Sequence, residues 1–95
     1  MKTIWQFALK DVTLQTLKLP PGSQFLTVGA QGGAVVAWIL VDTLCKEENK
    51  VEYRVWQFYT GDSIGREIEN ARYLATVQLE GIVFHFFVSD PEMTP

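Results

Sequence analysis

His85 is the single histidine of this 95-residue chain, set inside Phe84-His85-Phe86-Phe87. An imidazole is read first as a general base or a metal ligand, because its ordinary pKa near 6.5 lets it exchange protons close to neutrality. A catalytic histidine, however, needs a nucleophile and an orienting group, and a zinc site needs three or four ligands. One histidine and one cysteine, Cys45, complete neither set. Alternation places His85 on a sheet face with Val83 and Phe87, where a hydrogen-bonded structural histidine is expected.

The other chemically capable groups fare no better. Cys45 precedes Lys46, whose ammonium would lower the thiol pKa on close approach. With no histidine partner, it reads as an incidental loop thiol. The carboxylates of Asp62, Glu67 and Glu69 share one segment and have the chemistry of cation ligands or of an acid–base pair. They lack the alternating oxygen ligands of a calcium loop, so solvated charge is the expectation. Gly29, Gly32 and Gly33 read as hairpin glycines, since no helix follows to offer its N-terminus to a phosphate and no Lys-Ser/Thr completes a Walker pattern. The expectation is a non-enzymatic protein with no catalytic residues, no cofactor and no metal.

Trp56, Phe58 and Tyr59 remain. On an exposed strand they would form a binding patch, because aromatic anchors dominate interface hot spots and large exposed apolar patches are uncommon on monomers. Packed beneath the following segment, 62–72, they would be core. As a binding surface the candidate set is Trp56, Phe58, Tyr59, Asp62, Arg66 and Glu67: apolar rings at the centre with charges of both signs at the rim.

The elements that must position these residues follow from period-2 alternation. Thr3, Trp5, Phe7 and Leu9 alternate with Ile4, Gln6 and Ala8, giving a first strand over Thr3 to Leu9. Gln15, Leu17 and Leu19 give a second, stopped by Pro20-Pro21-Gly22, a firm turn signal. Phe25 to Gln31 and Ala34 to Val41 flank Gln31-Gly32-Gly33 as a hairpin. The second arm is apolar on both faces, as in a central strand, and Trp38 is expected in the core.

The charged segment Asp42 to Lys50 reads as an exposed loop. Val51 to Tyr59 follows, with Val51, Tyr53 and Val55 on one face and Glu52, Arg54, Trp56 and Phe58 on the other. Tyr73 to Leu79 and Ile82 to Val88 form a second hairpin around Glu80-Gly81, and one short helical turn is expected over Arg66 to Ala71. Many short strands without crossover helices indicate an all-β, single-domain antiparallel β-sandwich of about seven strands. It is expected to span residues 1–89, with a flexible C-terminal tail over 90–95.

Composition narrows the class. Hydrophobic residues make up 47% and charged residues 20% of the chain, a globular balance. A lone cysteine rules out an intrachain disulfide and suits a reducing compartment. The segment Met1-Lys2-Thr3-Ile4-Trp5-Gln6 has no signal-peptide pattern, and the longest apolar run, Ala34 to Val41, falls far short of the ~20 residues that span a bilayer. A net charge of −3, with no two basic residues adjacent, argues against nucleic acid. A cytoplasmic protein without membrane attachment is expected.

The order of features resembles a family of short uncharacterised proteins encoded by phages and prophages. The matches are Lys2-Thr3-Ile4-Trp5, Pro21-Gly22, Trp38-Ile39-Leu40-Val41-Asp42, Tyr59-Thr60-Gly61-Asp62 and Val83-Phe84-His85-Phe86-Phe87. The third turn departs from that family's Gly-Thr-Gly-His-like pattern, with Tyr59 in place of Gly and Asp62 in place of His. The resemblance implies a phage origin, a one-domain β fold and the cytoplasm of a bacterial host, and it supplies no catalytic residues. A host or phage protein is the expected partner, with inhibition of a host enzyme or an anti-phage defence complex as the expected role. The alternatives are a virion or assembly component that self-associates, for instance as a homodimer, and a small-ligand sponge for a nucleotide signal. The sponge would recruit Arg54, Arg66 and Arg72 to phosphate.

Overall fold

The computed structural model describes residues 1–91. Its strands are β1 (Lys2–Ala8), β2 (Leu14–Leu19), β3 (Gln24–Gln31), β4 (Ala34–Asp42), β5 (Val51–Tyr59), β6 (Arg72–Leu79) and β7 (Ile82–Ser89). They form a three-stranded sheet of order β1-β4-β3 and a four-stranded sheet of order β2-β5-β7-β6, antiparallel throughout. The smallest dimension of the molecule is 16 Å, the thickness of two sheets with their inner side chains interleaved. The all-β sandwich read from the sequence is the observed fold.

Alternation decides what is buried. Phe25 and Val28 on β3, Ala37, Ile39 and Val41 on β4, and Tyr53 and Val55 on β5 point inward. Phe84, Phe86 and Val88 on β7 do the same, and all of these belong to one core cluster. Trp5, Phe7 and Leu9 flank this cluster, partly buried. The edge strands β3 and β6 of the two sheets lie against each other.

Trp38 is the main correction to the sequence reading. β4 is central in its sheet as expected, but the inward residues are Ala37, Ile39 and Val41, so Trp38 takes the outer face and is only half-buried. A strand apolar on both faces carries no signal for which face turns inward. The indole lies over Gly29, where an added Cβ would meet its Cζ3 at 3.0 Å. Gly29 is thus a close-approach glycine and not part of the turn. Gly29→Val is expected to displace the ring and cost about 1–3 kcal/mol, the range of overpacking, measurable by urea unfolding.

The turn itself uses Gly32 (φ 60°) and Gly33 (φ 80°), the left-handed pair that a two-residue hairpin demands. The β6–β7 hairpin turns on Glu80 (φ 53°) and Gly81 (φ 80°), and Glu80 is the one non-glycine residue with positive φ among the described residues. The helical turn expected over Arg66 to Ala71 is shorter, a 3-10 turn over Arg66–Ile68. A second 3-10 turn over Glu47–Asn49 lies in the charged loop, with no periodic signal to announce it. Ser89, the last residue of the expected domain, pairs with Arg54 at the end of β7, one residue beyond the strand end read from the sequence. The expected tail begins with Asp90 and Pro91, and residues 92–95 of it lie outside the described residues.

One feature of the topology shapes the surface. β5 and β6 both run antiparallel to β7, which lies between them, so they are parallel to each other. Their connection, 60–71, therefore has to travel back along the sheet.

Candidate functional site

The outer face of the four-stranded sheet carries a row of large apolar side chains. Alternation on β5 turns Arg54, Trp56 and Phe58 outward, and the strand register aligns Leu14 with Trp56, Trp56 with Phe87, and Phe87 with Tyr73. The row Leu14, Trp56, Phe87, Tyr73 thus crosses all four strands. Its ends are open, with Leu14 43% and Tyr73 58% exposed, while Trp56 and Phe87 are half-buried. Phe87 meets Tyr73 edge-on at 5.8 Å and Phe58 at 6.1 Å. Trp56 stacks parallel to Phe58 at 6.5 Å. Its indole Nε1 donates to Ser89 Oγ at 3.2 Å, so the ring is held in place before anything binds.

Phe58 is only 4% exposed although it belongs to this outer face and not to the main core cluster. Its register partner is His85, and His85 Nε2 lies 2.7 Å from Thr60 Oγ1. That bond anchors the start of the 60–71 connection beside Phe58 on the outer face. The other imidazole nitrogen, Nδ1, lies 3.1 Å from Thr76 Oγ1, which is 2.6 Å from the Tyr73 hydroxyl. Hydroxyls occupy both ring nitrogens. His85 thereby ties the crossover, β6 and β7 together as a structural group.

Tyr59 faces the other way. Its ring packs against Phe84 at 5.3 Å, and its hydroxyl donates to Asp11 Oδ1 at 2.8 Å. Gln57 Nε2 donates to the same oxygen at 2.6 Å. Asp62 ends β5: its Oδ2 accepts the Tyr59 backbone N–H at 2.7 Å and its own N–H donates to the Tyr59 carbonyl. Arg66 pairs with Glu69 at 2.9 Å, well exposed, and Glu67 accepts the Gly65 N–H. The structure therefore brings Trp56 and Phe58 together. It separates Tyr59 onto the opposite face and spreads Asp62, Arg66 and Glu67 along the connection.

Of the arginines read as a phosphate-binding set, Arg54 and Arg72 stand opposite the adjacent β7 residues Ser89 and Val88. Arg66 is engaged by Glu69, and Arg54 shares its shallow hollow with Glu52 and Asp90. Cys45 Sγ donates to the carbonyl of Lys46. Among the described residues, no three His, Cys, Asp or Glu side chains gather as metal ligands, and no helix is long and apolar enough to cross a membrane.

The donors from Tyr59 and Gln57 hold the Asp11 carboxyl below its ordinary value of 3.8. A carboxylate depressed in the fold contributes stability above its unfolded pKa and loses it as pH falls through the folded value. In Asp11→Asn, stability is expected to fall short of the parent at neutral pH, and the gap should close in acid below pH 3.8. Chemical denaturation at a series of pH values measures it; a gap that widens in acid would contradict the assignment. The same bond raises the Tyr59 phenol above 10.0, so its contribution persists through neutral pH and is lost only in strong alkali.

Leu14, Tyr73 and Phe87 were not singled out by sequence because their alignment with Trp56 depends on pairings between distant strands. Gln57 left a readable trace: it is a polar residue on the inward face that Tyr53 and Val55 otherwise make apolar.

Neither curated proteins nor solved structures offer a match to the chain. A family model does match, over residues 1–94, and the chain accordingly belongs to the family described as Domain of unknown function (DUF7352).

Proposed function

We propose that this domain is a non-enzymatic interaction module that engages a protein partner across the outer face of its four-stranded sheet. The Leu14–Trp56–Phe87–Tyr73 row carries this reading. It offers two half-buried, pre-oriented rings between two exposed ends, the layout of an interface centre. Charges of both signs at Lys18, Glu52 and Arg54 border it on β2 and β5 and supply a polar rim. The resemblance to short phage and prophage proteins supports the bacterial cytoplasm as its location. It also supports a host enzyme or defence complex, inhibited by occlusion, as the partner. Affinity capture from bacterial lysate is expected to retain one stoichiometric protein; repeated captures without one remove the reading.

A second reading is homodimerisation or assembly through the opposite face. There Ile4, 57% exposed, pairs with Leu40, beside Trp38 and Val36 on β4. Sedimentation of the parent and of Ile4→Lys distinguishes the two: a dimer broken by Ile4→Lys favours assembly, and a monomer in both favours the first reading.

A further inference from the structure

Gln57 is the starting point. Only it and Ser23 are buried polar side chains among the described residues, and Gln57 is 5% exposed. An amide placed there must be satisfied or it destabilises the fold. Its Nε2 donates to Asp11 Oδ1. Its Oε1 has no hydrogen-bond partner among the described residues, yet no buried side-chain oxygen is sealed off without one. The oxygen therefore opens to the space that Gln57 lines.

That space is a cleft of about 290 Å³ at one end of the sandwich, where the β3–β4 and β6–β7 hairpins converge. Val35, Leu79, Ile82 and Phe84 make its walls apolar. Asp11 stands at its side with Oδ1 already taken twice, by Gln57 and Tyr59, which leaves Oδ2 as an acceptor. Those two donors also keep the carboxyl ionised. Glu80, a second acidic residue, also lines the cleft. It sits at φ 53°, in a turn position where asparagine or glycine is the relaxed choice. Lys10 also lines the cleft. It is exposed, without an ion-pair partner among the described residues, and its flexible stem lets the ammonium swing into water.

Taken together, the cleft offers acceptors above an apolar floor. We infer that it binds an organic cation, a guanidinium or primary ammonium on a short apolar stem, with the charge between Asp11 and Glu80 and a donated hydrogen bond to Gln57. An anion meets two carboxylates there and is repelled. A wholly apolar ligand would leave the Gln57 oxygen unpaired. The site is separate from the aromatic row and stands or falls without it. The cation has two sources, a free small molecule or an arginine side chain presented by a polypeptide.

Agmatine and an end-capped Gly-Arg-Gly peptide, titrated separately, distinguish the sources, followed by NMR of the Gln57 side-chain amide and the Gly33 and Gly81 backbone amides. Saturable shifts are expected at these three positions, absent with acetate. Tighter binding of agmatine assigns a small-molecule site, and tighter binding of the peptide assigns a side-chain pocket. Asp11→Asn is expected to weaken binding at least tenfold. Glu80→Asn is expected to weaken it severalfold while raising the melting temperature, because the turn relaxes as the charge is lost. A purely structural Glu80 would give the second effect without the first. Saturation by neither cation, or undiminished binding in both variants, overturns the inference.

Discussion

Phe86→Ala is expected to destabilise the domain by about 3–5 kcal/mol, the usual cost of removing a fully buried ring. Phe86 is 0% exposed on the inward face of β7, which lies between β5 and β6 in the four-stranded sheet. Phe84 stacks near it at 6.3 Å, and the surrounding residues are held by strand pairing on both sides, so the void has little freedom to collapse. Domains of this size typically hold only about 5–15 kcal/mol of stability, and the variant is expected to approach the unfolding threshold. Trp38→Ala is the informative comparison. The larger ring is half-buried on the outside of the thinner sheet, and its removal is expected to cost clearly less than that of Phe86. Equal costs, measured by denaturant titration of both variants, would mean that the outward assignment of Trp38 is wrong.

Much of the fold was legible because it is written in local pattern. The seven strands, both tight hairpins and the two faces of β5 follow from alternation and from glycines at the turns. What alternation cannot supply is which apolar face of β4 turns inward, since Ala37, Ile39 and Val41 read the same as Val36, Trp38 and Leu40. Nor does it supply the partner of each strand. β2 pairs with β5 across the whole first hairpin, and β7 inserts between β5 and β6. The candidate site depends on those long-range registers. Trp56 and Phe58 were visible as aromatic residues, but the row they belong to exists only once Leu14, Phe87 and Tyr73 are brought beside them. Tyr59 adjoins Phe58 in sequence, and adjacency along a strand places neighbours on opposite faces.

The second large effect concerns binding. Trp56→Ala is expected to weaken partner association by more than about 2 kcal/mol, a hot-spot loss, with the β-sheet circular dichroism retained. The ring sits near the middle of the row, fixed by Ser89 and stacked on Phe58, so little ordering remains to be lost on association. Tyr59→Phe, on the other face, is expected to leave binding unchanged while lowering stability slightly through the lost bond to Asp11. The two variants therefore separate contact from fold. If Tyr59→Phe weakens binding and Trp56→Ala does not, the contact lies at the sandwich end and not on the aromatic row.

Site-specific photo-crosslinking tests the proposed surface most directly. A benzophenone side chain installed at position 73, at the open end of the row, is expected to capture the partner in lysate, and added unlabelled domain should compete it away. The same group at position 4, on the outside of the other sheet, should capture nothing specific. Capture from position 4 without capture from position 73 would contradict the account.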